Sequence, residues 1–265
     1  MVRHTRYEPG TPSWADLASP DLEASRAFYG DLFGWTGEPA TEPEARGYTV
    51  FMLGDAAVAG LGPTFGDVPP HWNTYVTVAD SDAALEAVAA AGGQVLMESM
   101  DVLDAGRMAV IADPSGAALS LWQPKSHIGA EVRMEPNALC WVELNTRDPG
   151  SAVSFFGELF GWTHQQVGGP VEEGGPGFDY IMLQLGEAPV GGIITMDENW
   201  PAEVPPHWMV YFAVEDCDAA AARVAELGGE VCVPPTDIPP GRFAVVGDPT
   251  GATFTIIALN PEMFG

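Results

Sequence analysis

A repeated segment restricts the fold of this chain more than any other feature. Phe-Tyr-Gly-Asp-Leu-Phe-Gly-Trp at 28–35 returns as Phe-Phe-Gly-Glu-Leu-Phe-Gly-Trp at 155–162, an offset of 127 residues (155 − 28). A Pro-Pro-His-Trp motif at 69–72 likewise returns at 205–208, with an offset of 136 (205 − 69). The offset drifts only as far as short loop insertions would move it. We therefore interpret the 265-residue chain as a tandem duplicated domain.

The local pattern predicts the same plan twice in each half: a short strand, a helix that ends at glycine, and further strands. In the first half the helices are predicted at 21–33 and 82–91. Four β-α-β-β-β modules give an α+β chain, with helices covering one face of each sheet. We predict an N-terminal domain at 1–126, a linker at 127–138 and a C-terminal domain at 139–265.

The charge balance restricts the partners. With 10 basic and 37 acidic residues the net charge is −27, and Lys125 is the single lysine. Nucleic acids and anionic membranes both require cationic patches, so neither is expected as a partner. Such a surface can instead attract cationic ligands.

Location is predicted from what the sequence lacks. No window approaches the ~20 apolar residues of a membrane span. Residues 1–10 contain two arginines and a histidine without an apolar run, unlike a signal peptide. The three cysteines show no paired spacing, which is typical of reduced thiols in a cytoplasm.

Side-chain alternation gives the predicted strands two different faces. In the first strand Ala15 and Leu17 oppose Trp14 and Asp16. In each case one face is aliphatic and suits packing against a helix. The other combines aromatic with polar residues, as in a wet outer face, a contact between the halves or a ligand cup. Aromatic residues at repeated positions favour the cup.

Three stretches carry a resemblance to a known family. DLEASRAFYGDLFGW at 21–35, HWNTYVTVAD at 71–80 and GRMAVIADPSGAALSLWQP at 106–124 resemble the vicinal oxygen chelate superfamily. This superfamily contains glyoxalases, extradiol dioxygenases and bleomycin-resistance proteins. The resemblance covers nearly the whole chain, twice, and is similar to a two-domain actinobacterial glyoxalase-like subgroup. It implies that paired modules wrap into a U-shaped cup.

The resemblance also implies where catalytic members would hold a divalent metal. Zn²⁺, Fe²⁺ and Mn²⁺ require imidazole, carboxylate or thiolate ligands, and none of the matching positions offers a good one. We therefore predict that the protein binds no metal and no cofactor. This prediction argues against glyoxalase, dioxygenase and metal-dependent thiol-transferase activity. The matching positions are Trp14, Asn73 and Ser120 in the first half and Trp141, Met209 and Thr255 in the second.

A carboxylate and a histidine lie two residues from these positions in each half. Asp16 with His71, and Glu143 with His207, could form an acid–base pair or a two-ligand metal site. Alternatively, each histidine is bonded to backbone at the strand entry after Pro-Pro. The expected structural partners of the two carboxylates are Arg107 and Arg242.

These residues favour a non-catalytic binding protein. Aromatic walls with one acid suit a planar ligand that carries an amine, such as an anthracycline-like antibiotic. Binding would sequester the compound or relieve product inhibition of a biosynthetic enzyme, the expected functional partner. The predicted ligand-binding residues are Trp14, Asp16, Tyr48, His71, Asn73, Tyr75, Ser120, Trp122, Trp141, Glu143, Tyr180, His207, Met209, Tyr211 and Thr255.

Two alternatives stay open at this point. One is a metal-independent isomerase, lyase or hydroxylase-type enzyme acting on a similar metabolite, with the carboxylate–histidine pairs as acid and base. No nucleotide-binding or nucleophile motif supports it. The other is a scaffold whose halves only pack on each other.

Overall fold

A computed structural model of the chain describes residues 2–66, 68–167 and 180–260. The strands of the first half are β1 (Pro12–Ser19), β2 (Thr49–Leu53), β3 (Ala56–Pro63), β4 (His71–Thr77), β5 (Gln94–Val102), β6 (Gly106–Ala112) and β7 (Ala118–Pro124). Its helices are α1 (Leu22–Phe33) and α2 (Ser81–Ala90). The strands form one sheet in the order β2-β3-β1-β4-β7-β6-β5. In this sheet β1 runs parallel to β3, and β4 runs parallel to β7.

The second half repeats this plan. Its strands are β8 (Leu139–Thr146), β9 (Thr163–Val167), β10 (Tyr180–Leu185), β11 (Ala188–Thr195), β12 (His207–Ala213), β13 (Glu230–Ile238), β14 (Gly241–Gly247) and β15 (Thr253–Leu259). Its helices are α3 (Pro149–Phe160) and α4 (Cys217–Glu226). The sheet order is β13-β14-β15-β12-β8-β11-β10-β9. The predicted α+β fold with a duplicated domain is therefore confirmed.

The first module differs from the other three in one detail. A strand follows α3 directly, whereas the segment after α1 makes only two isolated bridges, Thr36 with Met52 and Pro39 with Thr49. Proline has no backbone N–H, so Pro39 and Pro43 interrupt any longer ladder. The first sheet consequently has seven strands and the second eight.

Local sequence accounts for the helix ends. The Asp21 side chain accepts a hydrogen bond from the backbone N–H of Ala24 and caps α1, and Asp148 caps α3 in the same way. Both helices end at a left-handed glycine, Gly34 or Gly161, with φ of 71° in each case. The repeated Gly-Trp pair of the sequence is thus a repeated helix stop.

The two halves share one hydrophobic core. The aliphatic strand faces and the helices of both halves contribute to it, and Trp72 of β4 contacts Phe212 of β12 with ring centroids 4.9 Å apart. The aromatic–polar faces lie on the other sides of the sheets, in two separate smaller clusters. The predicted division into two faces is observed, and both cups point away from the shared core.

The predicted domain boundaries at 126 and 139 stay a prediction, because this common core joins the halves. Residues 1 and 261–265 of the predicted domains lie outside the described residues. In the described ranges the four α-helices contain 10 or 12 residues and a 3-10 helix at Pro43–Ala45 contains three, and none of them is long and apolar enough to cross a membrane.

Candidate ligand-binding cups

The first cup is the aromatic–polar face of the first sheet. Strand register brings its predicted residues together, since Asp16 of β1 lies opposite Asn73 of β4 and Trp14 lies opposite Tyr75. Tyr75 in turn pairs with Ser120 of β7. All eight residues predicted for the first half lie on this face: Trp14, Asp16, Tyr48, His71, Asn73, Tyr75, Ser120 and Trp122.

Asp16 is the polar centre of the first cup. Its carboxylate accepts hydrogen bonds from Tyr48 Oη at 3.1 Å, Tyr75 Oη at 2.9 Å and Asn73 Nδ2 at 2.9 Å. Burial raises the pKa of the Asp16 carboxyl, and these three hydrogen bonds oppose the increase. The Asp16 carboxylate is therefore hydrogen-bonded by side chains of the first cup itself.

The predicted arginine partners are wrong. Arg107 binds Asp82 at 2.7 Å, and Arg242 binds Asp218 at 2.6 Å, both at the surface. Phenol hydroxyl groups bind both acids, those of Tyr48 and Tyr75 at Asp16 and that of Tyr211 at Glu143, and Asn73 adds an amide donor at Asp16. The two acids are thus held by neutral donors.

Both histidines make the contact with backbone after Pro-Pro that was the alternative to an acid–base pair. Nδ1 of His71 lies 2.7 Å from the carbonyl oxygen of Pro69, and Nδ1 of His207 lies 2.8 Å from that of Pro205. Nε2 of His71 lies 3.1 Å from Oδ1 of Asn73, which itself bonds Asp16. The histidine therefore reaches the acid through an intervening amide.

The linker covers the first cup. The ring of His127 contacts that of Trp14 edge to face at 4.6 Å, and its carbonyl accepts a hydrogen bond from Trp122 Nε1 at 2.8 Å. Further along, the backbone N–H of Ala130 bonds the carbonyl of Ser13 at 2.8 Å. The N–H of Glu131 bonds the carbonyl of Ala57 at 2.7 Å. The linker thus joins β1 to β3 in front of the cup.

This covering buries the aromatic walls. Trp14, Tyr75 and Trp122 are only 4%, 5% and 6% exposed, and the fully buried Ala130 packs among them. Gly129 permits the close approach, because its φ is +106° and a Cβ there would lie 2.5 Å from the carbonyl oxygen of Ser13. Residues of the linker therefore occupy the first cup.

The second cup has the same layout, and its contacts are described for residues 139–167 and 180–260. Met209 lies opposite Glu143, and Tyr211 lies opposite Trp141 and beside Thr255. Trp141 Nε1 donates to Tyr180 Oη at 2.6 Å. Trp141 and Tyr180 are both partly exposed. In the described part of the chain, no segment makes the two backbone hydrogen bonds that attach the linker to β1 and β3.

Glu143 differs electrostatically from Asp16. Burial raises the pKa of the Glu143 carboxyl to about 7, against hydrogen bonds from Tyr211 (2.7 Å) and Tyr180 that lower it. Met209 occupies the place of Asn73, so the amide donor of the first cup is replaced by a thioether. Glu143 can therefore gain or lose a proton near neutral pH.

Two contributors were missed by the sequence analysis. Asn145 extends the polar face of β8, is 2% exposed and places Nδ2 3.4 Å from His207 Nε2, where the first half has Ala18. The alternation of β8 was a signal for it. His127 was assigned to the linker, and the sequence has no repeat signal there that would place it over the cup.

The side chains at the metal positions of the superfamily do not fit a metal. Trp14, Asn73 and Ser120 offer indole, amide and hydroxyl groups, as the second half offers indole, thioether and hydroxyl. In the described ranges, no three His, Cys, Asp or Glu side chains cluster closely enough to hold a metal ion. This donor chemistry gives no basis for a metal-dependent step.

Comparisons with known proteins agree with this fold. Residues 11–121 match the family model of the glyoxalase/bleomycin resistance protein/dioxygenase superfamily, and residues 141–257 match that of a glyoxalase-like domain. Among solved structures, the Mn(II)-bound glyoxalase from Novosphingobium aromaticivorans has a TM-score of 0.63 at 16% identity, covering 94% of this chain and 82% of that one. The 2,3-dioxygenase LapB from Pseudomonas sp. KL28 also scores 0.63, at 15% identity over 99% and 96% of the two chains.

Two curated relatives are more similar in sequence. The protein provisionally named glyoxylase CFP32 of Mycobacterium tuberculosis is 43% identical over 268 residues, covering 99% of this chain and all of the relative. The anthracycline biosynthesis protein DnrV of Streptomyces peucetius is 41% identical over 271 residues, covering 97% of this chain and 96% of the relative. The chain therefore belongs to the glyoxalase/bleomycin resistance protein/dioxygenase superfamily, with one matching domain in each half.

Proposed function

We propose that the protein binds a planar aromatic natural product in its second cup, without catalysis and without a metal. One observation carries this proposal: Trp141 stays partly exposed in the second cup, whereas its counterpart Trp14 is only 4% exposed and lies against His127 of the linker. The similarity to DnrV, whose name places it in anthracycline biosynthesis, supports an aromatic ligand of that class.

The second cup supplies two kinds of contact to such a ligand. Contact with the Trp141 and Tyr180 rings contributes about 1 kcal/mol per aromatic pair beyond burial of area. Glu143, with a pKa of about 7, can pair as a carboxylate with an amine or donate as an acid to a ring carbonyl. Together with apolar burial, these contacts support an affinity of roughly micromolar Kd.

In this function the protein would sequester the compound or relieve product inhibition of a biosynthetic enzyme, its proposed functional partner. We place it in the cytoplasm, because Cys140, Cys217 and Cys232 are all unpaired. The first cup, closed by its linker, would serve to hold the fold.

A titration tests the binding proposal. An anthracycline and its aglycone without the amino sugar are titrated against wild type, Glu143→Gln and Asp16→Asn, with tryptophan fluorescence and melting temperature as readouts. We expect binding to wild type that weakens at least about tenfold in Glu143→Gln, since one charged or proton-donating group is lost. Asp16→Asn should bind as wild type does. If no compound in the panel binds, the proposal is wrong.

A metal-independent enzyme is the second candidate, and the raised pKa of Glu143 favours it. A general acid–base group works best with a pKa near the working pH, and the pKa of Glu143 is about 7. Mass spectrometry of the ligand after incubation separates the two functions. A changed ligand, with a rate lost in Glu143→Gln while binding persists, would establish an isomerase, lyase or hydroxylase-type activity in place of simple binding.

A further inference from the structure

A cavity lies at the edge of the first cup, beside the linker. It has a volume of about 480 Å³, within the range of small-molecule sites, and opens between the N-terminal segment, the β2–β3 turn and the linker. It shares Met52 and Ala57 with the apolar cluster of the first cup, and His127, which contacts Trp14, also lines it. It is lined by His4, Thr5, Met52, Asp55, Ala57 and linker residues 126–129 and 131.

The charges in this cavity are mainly negative. Asp55 and Glu131 are its two carboxylates, and Arg3 pairs with Asp55. Glu131 Oε2 accepts the backbone N–H of Ala57 at 2.9 Å. Within the described ranges its other oxygen, Oε1, has no hydrogen-bond partner. One full acceptor is therefore left for a ligand.

Two histidines add further acceptors. His4 stacks on Tyr7 at 5.0 Å, and His127 lies against Trp14. Burial lowers the pKa of both imidazoles; Arg133 lowers that of His4 further, while Glu131 opposes the effect at His127. Both rings are thus mostly neutral at pH 7, and a neutral imidazole keeps one acceptor nitrogen. In the part of the chain that the structure describes, neither ring makes a hydrogen bond.

Apolar groups complete the wall, since Met52, Ala57 and Ile128 also face the cavity. A matching ligand must donate several hydrogen bonds, carry positive charge and present an apolar body. We propose that this cavity binds a small primary amine with an aryl or alkyl body, its ammonium group directed at Glu131. The net charge of −27 would raise the local concentration of such a cation.

This site is independent of the proposed function, because Glu131 lies in the linker beside the first cup whereas Glu143 lies in the second cup. The probe is 2-phenylethylamine, with 2-phenylethanol as its neutral analogue of similar shape. Glu131→Gln keeps an amide oxygen to accept the Ala57 N–H while removing the charge. Glu143→Gln in the second cup is the matched control.

Binding is measured by isothermal calorimetry and by chemical-shift changes of the His4 and His127 ring protons. We expect the amine to bind wild type and Glu143→Gln equally, and Glu131→Gln about tenfold more weakly, with both imidazoles shifted. The alcohol should bind weakly to all three. Asp55→Asn, at an exposed turn, provides a second variant if Glu131→Gln does not fold, and should also weaken the amine.

Three results would overturn the proposal. They are an amine affinity unchanged in both cavity variants, a loss that follows Glu143→Gln instead, and no binding at millimolar amine. The first and third results say nothing about an aromatic ligand in the second cup, and the second would move the amine to that cup, so the two proposals can fail separately.

Discussion

The hydroxyl group of Tyr29 in α1 donates a hydrogen bond of 3.1 Å to Asp248 of the other half. The same hydroxyl accepts the indole N–H of Trp72 at 3.1 Å, so one buried atom joins a helix, a strand and the partner half. The repeat places Phe156 where Tyr29 would recur, and Phe156 contacts Trp208 at 5.4 Å much as Tyr29 contacts Trp72 at 5.3 Å. The equivalent position thus lacks only the hydroxyl.

Phe156→Tyr should therefore stabilise the protein. Oδ2 of Asp113 and Nε1 of Trp208 are buried without a hydrogen-bond partner in the described residues, and they are the counterparts of the Tyr29 partners. A hydroxyl at 156 would satisfy both, and we expect a gain of about 1–2 kcal/mol in the free energy of unfolding by urea denaturation.

Tyr29→Phe is the matched control and should lose a similar amount. A destabilised Phe156→Tyr variant would mean that the cavity around Phe156 has no room for the hydroxyl. The pseudo-twofold equivalence of the two positions would then be wrong in this detail.

Stability should depend on pH through Glu143. Its pKa rises from 4.5 when unfolded to about 7 when folded, so the folded state binds more protons between these values. The associated stability is fully present below pH 4.5 and is lost as pH rises through about 7. The shift corresponds to a loss on the order of 3 kcal/mol.

Glu143→Gln removes this pH-dependent loss of stability, and its amide oxygen can still accept the hydrogen bond from the Tyr211 hydroxyl. We expect the unfolding free energies of variant and wild type to diverge in favour of the variant from pH 5 to pH 8. Parallel curves across this range would show that Glu143 does not take up a proton on folding.

The linker should be intolerant of a side chain at Gly129. Alanine there meets a positive φ of +106° and a carbonyl oxygen at 2.5 Å. Gly116 is a fitting control, because its φ is +92° but nothing lies within 4 Å of a Cβ. Gly116→Ala should lose about 1–2 kcal/mol from backbone strain alone.

Gly129→Ala should lose clearly more than this control and should increase the exposure of Trp14, seen as a red-shifted tryptophan emission. Equal losses in the two variants would mean that the linker accommodates the methyl group by moving off β1.

The metal positions give a further prediction. Since Trp14, Asn73 and Ser120, like their counterparts in the second half, are unsuitable ligands, elemental analysis of the purified protein should find no stoichiometric transition metal. About one metal per half, retained through mild chelation, would contradict it. Dialysis against a chelator should likewise leave the melting temperature unchanged.

Much of the fold was predictable because the same sequence pattern of strands and helices occurs in both halves. Alternation along β1 and β8 separated Leu17 and Leu144 from Asp16 and Glu143, and register then determined which side chains meet across strands. These are local signals with a fixed period. Alternation and register also put the predicted site residues on the aromatic–polar faces of the two sheets.

The closing of the first cup was not predictable in this way. The segment around His127 and Gly129 has no periodicity and no repeated copy, and its position depends on backbone hydrogen bonds to Ser13 and Ala57 that are far away in sequence. Arg107 was misassigned for a related reason. A long side chain pairs with whichever exposed acid is near, which in this case is Asp82.

The difference between the two cups is the central claim, and the stoichiometry of ligand binding tests it most directly. An anthracycline that binds wild type is titrated by calorimetry against wild type, Trp141→Phe and Trp14→Phe. The partly exposed Trp141 should contact the ligand, whereas Trp14 is covered by His127. We predict one ligand per chain, with an affinity reduced several-fold in Trp141→Phe and unchanged in Trp14→Phe. Two ligands per chain, or an affinity that follows Trp14, would contradict the account.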